Sequence, residues 1–111
     1  IDRNGQATIG KLEARDFVSD GPSQEPLVAK FAAFGFQVVQ CDGHDFDSIF
    51  RVFERIRETP MRSKPTCIIS NTIKGKGASV LEDKRLFHYV VPANEDLEQT
   101  WADLNASVTN G

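Results

Sequence analysis

Lys74 and Lys76 flank Gly75, with Gly77 next, directly after the apolar run TCIISNT (residues 66–72). Glycine lets a backbone approach a ligand closely, and a lysine at such a point offers phosphate a compact positive charge. The segment is not a Walker A loop: it lacks GxxxxGK[ST], and its glycines are too close together. A solvated basic turn accounts for the same residues equally well. His88 lies between Phe87 and Tyr89. A histidine in an aromatic run is most often a packed structural residue. Its chemical alternative is a polar group in an apolar pocket, able to donate to an anion or shuttle a proton near neutral pH. His44 in CDGHD reads as turn architecture, because Gly43 suits a turn and Asp45 a helix cap. Asn4 in DRNGQ is foremost a turn residue. Yet its amide oxygen, followed two residues later by a backbone carbonyl, offers two hard oxygen ligands on one tight loop. Magnesium takes oxygen donors in a compact octahedron, usually completed by a carboxylate, water and phosphates. No obvious carboxylate partner for this corner can be read from the sequence.

Elements must hold these residues in place. A strand tail at Ile1 and Asp2 is followed by an irregular stretch over residues 3–24, rich in turn formers. EPLVAKFAAF (residues 25–34) carries Leu27, Val28, Phe31, Ala32 and Phe34 at helical spacing, with Pro26 suited to the first turn and Gly35 to the stop. FQVVQC (residues 36–41) is a short β-branched strand. Asp45 caps a helix over residues 46–58, whose apolar face is Phe46, Ile49, Phe50, Phe53 and Ile56. Residues 66–72 form a strand that is apolar through its centre, as buried parallel strands are. Asn94 caps a last helix, EDLEQTWADLNA, with Leu97, Trp101 and Leu104 on one face. The order predicts an α/β layer protein, a parallel sheet with flanking helices. Ligands in such folds sit at the carboxyl ends of the strands, where the Asn-Gly, DGHD and Lys74–Gly77 segments all fall. Three strands make a thin sheet, and the chain is expected to be part of a larger α/β unit.

Composition narrows the field. Hydrophobic residues make up 40% of the 111, eight of them Phe, which argues for a globular chain. Thirteen Lys and Arg against sixteen Asp and Glu give a net charge of −3, which speaks against a nucleic-acid surface. No apolar stretch approaches the roughly 20 residues of a membrane span. Cys41 and Cys67 lie in or beside apolar runs with no CxxC pair. Two buried free thiols in a reducing cytoplasm are therefore expected.

DRNG with its Ile-Gly turn, AKFAAFGFQVVQCDGHD, KPTCIISNTIKGKGASVLED, a histidine and PANEDLEQTWADL follow one another here. In that order and spacing they resemble the transketolases, most closely the amino-terminal-type subunit of the two-polypeptide enzymes. The resemblance implies a thiamine-diphosphate-binding fold, with residues 1–111 as the carboxyl-terminal portion of its diphosphate-binding domain. It implies transfer of a two-carbon ketol unit from a ketose to an aldose with thiamine diphosphate and Mg²⁺, as in pentose phosphate metabolism. Asn4 matches the side-chain magnesium ligand, and Gln6 the residue that gives its backbone carbonyl to the same ion. Gly5 falls between them in the cofactor-binding corner. Lys74 matches the lysine near the diphosphate, and His88, fourteen positions on, the active-site histidine that contacts the diphosphate and the substrate oxygen.

Two departures qualify the match. The family usually has Trp-His-Gly or Ser-His-Gly where this chain has FHYVV, so Tyr89 replaces a glycine beside the histidine. The Gly-Asp-Gly motif with the acidic magnesium ligand, and the pyrimidine-binding half, are absent from these residues. The expected partners are therefore the remainder of the diphosphate domain, a pyrimidine-domain subunit in a hetero-oligomer, and a sugar or sugar phosphate. Nucleic acid and membrane are not expected partners, and the chain alone is expected to be inactive. The alternatives are a deoxyxylulose-phosphate synthase, which shares the fold and the DGHD turn, and a non-catalytic α/β interaction subunit.

Overall fold

A computed structural model describes residues 1–7, 10–11, 26–58 and 63–109. In chain order they form β1 (Asp2–Arg3), β2 (Gln6–Ala7), β3 (Gly10–Lys11), α1 (Leu27–Ala33), β4 (Gln37–Asp42), α2 (Phe46–Glu58), β5 (Thr66–Asn71), a 3₁₀ turn (Arg85–His88) and α3 (Glu95–Thr109). The main sheet has the order β1-β5-β4 and is parallel throughout, with Gln37 opposite Thr66, Asp42 opposite Asn71, and Asp2 opposite Ser70. This is the α/β architecture with a parallel sheet that the sequence predicts.

β5 is central because it is the most apolar run. Ile69 is fully buried, and Cys67 beneath it and Cys41 on β4 are buried free thiols, as expected. α1 ends in a Schellman motif. Gly35 (φ +89°) donates its N–H to the Ala32 carbonyl at 3.0 Å and Phe36 donates to Phe31 at 3.1 Å. The Phe31 and Phe36 rings then meet edge to face at 5.6 Å, the hydrophobic contact that accompanies this cap. The motif shifts β4 by one residue from its predicted 36–41. The Phe36 N–H is spent on α1, and the ladder starts with Gln37 N–H on the Pro65 carbonyl at 2.9 Å. α2 has the predicted limits, with Asp45 Oδ1 accepting the Asp47 N–H at 3.0 Å as its cap.

Three expectations need correction. The stretch over residues 3–24 is not wholly irregular: β2 and β3 pair antiparallel, with Gln6 opposite Lys11. Residues 12–25, with the turn formers SDGPSQEP, lie outside the described residues. The apolar faces assigned to α2 and α3 are only partly turned inward. On α2, Ile49, Val52 and Ile56 are half-buried, whereas Phe46, Phe50 and Phe53 are 88%, 62% and 56% exposed. On α3, Leu97, Trp101 and Leu104 are all exposed, and the buried residue is Thr100, whose hydroxyl donates to the Asp96 carbonyl at 2.7 Å. Asn94 serves α3 through its backbone. It stands at φ +51°, which asparagine tolerates, and its carbonyl accepts the Leu97 and Glu98 N–H groups at 3.1 Å each.

The turn out of β4 leaves no room for a side chain. A Cβ on Gly43 would lie 2.3 Å from Ser70 Oγ and 2.4 Å from Thr72 Cγ2. Gly43→Ala is therefore expected to lower the unfolding free energy by about 1–3 kcal/mol through overpacking. Denaturant titration of the full polypeptide checks this, and an unchanged midpoint would contradict the packing described.

Candidate functional site

A parallel sheet delivers all its carboxyl ends to one edge, which is where α/β folds bind ligands. Here β1 leaves into Asn4 and Gly5, β4 into Gly43 and His44, and β5 into Thr72 and Ile73.

At the first exit Asn4 is held on both sides of its amide. Its Nδ2 donates to Asp2 Oδ2 at 3.2 Å, and its Oδ1 accepts the Gln6 N–H at 2.9 Å across Gly5 (φ +71°). The second Asp2 oxygen accepts the Thr72 hydroxyl, which ties the corner to the end of β5. Gln6 Nε2 donates to Asp83 Oδ1 at 2.7 Å. Asp2 and Asp83 are thus the carboxylates of this corner that the sequence did not reveal. Asn4 Oδ1 and the Gln6 carbonyl are neutral hard oxygens, the donor type a magnesium ion accepts. Among the described residues no group of three His, Cys, Asp or Glu side chains could hold a metal by itself.

The segment after β5 folds back on itself. Ala78 N–H donates to Gly75 at 3.1 Å, Leu81 N–H to Ala78 at 2.8 Å, and Asp83 N–H to the Lys74 carbonyl at 2.9 Å, around the buried Ala78. A Cβ on Gly75 (φ +75°) would come within 2.7 Å of the Leu81 carbonyl oxygen. That glycine therefore lets the loop approach its own backbone. Glu82 Oε1 accepts the Gly77 N–H at 3.0 Å and lies 3.4 Å from the Lys76 ammonium. The amide bond first, and the ammonium second, hold the Glu82 carboxyl below its usual range. Lys76 is thereby neutralised, whereas no carboxylate of the described residues pairs with the half-buried Lys74. The far end of the loop is moored to α3, because the Ser79 hydroxyl and N–H both donate to Asp103 Oδ2 at 2.6 Å. Those two bonds, with a third from Gln99, lower the Asp103 carboxyl as well.

An open pocket of about 390 Å³ lies between the β4 and β5 exits, lined by Asp42, His44, Asn71, Thr72, Ile73 and Lys76. His44 and Lys76 enter the site here, while Asn4, Gly5, Gln6, Lys74 and His88 are not in its wall. His44 keeps the turn role expected of it, since its N–H donates to Asp42 Oδ1 at 2.9 Å. Its ring does more, accepting the Ile73 N–H on Nε2 at 2.7 Å. His88 closes the 3₁₀ turn and is exposed, with the Tyr89 ring edge to face at 4.9 Å. The apolar pocket considered for it is not formed by the described residues. Tyr89 has φ −117°, ordinary backbone that needs no glycine.

No family model matches the chain. It is 34% identical over 94 residues to an apulose-4-phosphate transketolase subunit of Actinobacillus succinogenes, covering 85% of this chain and 33% of the relative. Against a 6-deoxy-6-sulfo-D-fructose transketolase subunit from a Clostridium species it is 35% identical over 94 residues, covering 85% and 34%. The corresponding apulose-4-phosphate transketolase subunit of Phocaeicola vulgatus is 31% identical over 108 residues, covering 97% and 36%. The chain thus spans about a third of the length of these curated relatives.

Glu82→Ala removes both the acceptor for Gly77 and the counter-charge of Lys76. Tryptic cleavage after Lys76 is expected to quicken several-fold, and wild-type rates would count against the loop geometry. A carboxyl lowered by folding stabilises above its unfolded value, and that contribution fades as pH falls through the lowered one. The wild type should thus lose thermal stability on acidification, through Glu82 and Asp103 together, and the Glu82→Ala variant should lose less.

Proposed function

Because this chain belongs to the transketolase family, we propose that residues 1–111 form the carboxyl-terminal portion of the diphosphate-binding domain of an enzyme that moves a two-carbon ketol unit from a ketose to an aldose. The observation that carries this reading is a continuous hydrogen-bonded path. Asn4 Oδ1 accepts from Gln6, Gln6 Nε2 donates to Asp83, and Asp83 N–H donates to the Lys74 carbonyl. It joins an oxygen-donor corner to Lys74, seventy positions away and paired with no carboxylate of the described residues, and a metal-bound diphosphate calls for that combination of charges.

In this reading Asn4 Oδ1 and the Gln6 carbonyl hold Mg²⁺, with Gly5 bending the backbone between them, and Lys74 meets the diphosphate. Thiamine diphosphate, when bound, supplies the chemistry that breaks and forms the carbon–carbon bond. The chain's own residues fix its charged end and orient substrate. His88 donates to the diphosphate and to a substrate oxygen. The acidic magnesium ligand on a Gly-Asp-Gly motif and a pyrimidine-domain subunit complete the site. The solvent exposure of His88 and Tyr89 fits a surface that such a partner closes. Substrates are ketoses and aldoses or their phosphates, and Tyr89 beside His88 favours a donor unlike that of relatives with glycine there. Buried free thiols suit a cytoplasmic enzyme. Among the described residues no helix is long and apolar enough to cross a membrane.

One observation favours a second reading. The exposed His88, edge to face with Tyr89, also suits an interaction subunit that has kept the fold without the chemistry. Variants of the reconstituted enzyme separate the two. Asn4→Ala and Lys74→Ala should each weaken thiamine diphosphate binding in calorimetric titrations with Mg²⁺. His88→Asn should lower kcat/KM by about one to two orders of magnitude, the worth of a charge-assisted hydrogen bond of about 1.5–3 kcal/mol in a dry site. Its melting temperature should persist, and its cofactor affinity should fall far less than its kcat/KM. Wild-type kinetics in His88→Asn would put the interaction subunit in front.

A further inference from the structure

The β4/β5 ladder runs out at the pair Asp42 and Asn71. One more bond follows, from the Gly43 N–H to the Asn71 carbonyl at 2.7 Å. In a parallel ladder that bond has a partner: the carbonyl of the same residue accepts the N–H two positions further along the neighbouring strand. The Gly43 carbonyl would thus take the Ile73 N–H. The chain turns away into α2 instead, and the Ile73 N–H goes to His44 Nε2 at 2.7 Å. An imidazole nitrogen stands in for a strand carbonyl.

We propose that His44 is a positioning residue, whose ring clasps the backbone at Ile73 and so fixes where the loop bearing Lys74 leaves the sheet. Its turn is itself anchored. The His44 N–H donates to Asp42 Oδ1 at 2.9 Å, and the Asp42 N–H donates to Ser48 Oγ at 3.1 Å on the first turns of α2. Beyond the clasp, the Ile73 carbonyl accepts the Lys76 N–H at 3.2 Å and the Lys74 carbonyl accepts from Asp83 at 2.9 Å. The backbone around Lys74 is therefore held on both sides, by His44 before it and Asp83 after it.

The clasp requires a neutral ring with its proton on Nδ1, since an imidazolium has no lone pair to offer. The charged groups around that ring are mixed. Asp42 and Lys76 share its pocket, and Glu82 is near enough for its carboxylate to respond to the ring. Asp45 is engaged by the Asp47 N–H and lies 3.6 Å from Arg51. Protonation of His44 would release Ile73 without disturbing the sheet, which keeps its own ladder.

The proposal rests on Lys74 serving the diphosphate, but its test reads the clasp directly. Hydrogen exchange over residues 72–76 is measured in the full polypeptide assembled with its partner subunit, at about pH 8 and about pH 5.5, and corrected for intrinsic rates. The wild type should be protected at the higher pH and exchange about tenfold faster at the lower one. His44→Gln, whose amide oxygen can accept but does not titrate, should stay protected at both. His44→Ala should exchange fast at both and bind thiamine diphosphate about tenfold more weakly at the higher pH. Wild-type protection in His44→Ala, or the same pH step in the wild type and His44→Gln, would overturn the proposal. Unchanged cofactor affinity in Lys74→Ala, with the clasp signature intact, would overturn the assignment of Lys74 and leave the clasp standing.

Discussion

The parallel register of β5 between β1 and β4 is the constraint on which the other features depend. It exists because β5 is buried on one face at Cys67 and Ile69 and half-buried on the other, and because each neighbouring connection is long enough to return in the same direction. One register sends three chain exits to the same edge, so an amide, an imidazole and two lysines separated by up to seventy-two positions become neighbours of one rim. Slipping the pairing by one residue would turn Ile69 and Cys67 to the opposite face and scatter those exits.

An acidic chain then uses its carboxylates for order. Asp2 steadies Asn4, Asp83 receives Gln6, Glu82 collects Gly77 and Lys76, and Asp103 moors Ser79. Each is a fixed acceptor for groups a loop must otherwise leave to water. Part of that negative charge is placed where it pairs with Lys76, and no carboxylate of the described residues pairs with Lys74.

Local signals were legible and distant ones were not. Asp45 as cap, the limits of α2 and the stop at Gly35 were readable because each is a bond between residues a few positions apart. The corner at Asn4 was readable as a donor set, but its partner Asp83 is 77 positions from Gln6 and carries no pattern of its own. The clasp by His44 was hidden for the same reason: CDGHD specifies a turn, and only the register of β5 decides what the ring meets. Hydrophobic periodicity marked the apolar stripes of α2 and α3 correctly as stripes. It could not tell which half of a wide stripe meets this sheet, so Phe50 and Trp101 read as inward and stand outward.

Those outward rings have a calorimetric consequence. The heat-capacity change of unfolding scales with the apolar area that folding removes from water. Among the described residues the buried apolar set is Cys41, Cys67, Ile69 and Ala78, with a radius of gyration of 17.3 Å where a compact chain of this length has about 13 Å. These residues by themselves would melt with a small heat-capacity increment, a shallow denaturant slope and a broad, weakly cooperative transition. Covering Phe46, Phe50, Phe53 and Trp101 in an assembly would sharpen that transition, and part of the stability would then come from the surfaces that cover them.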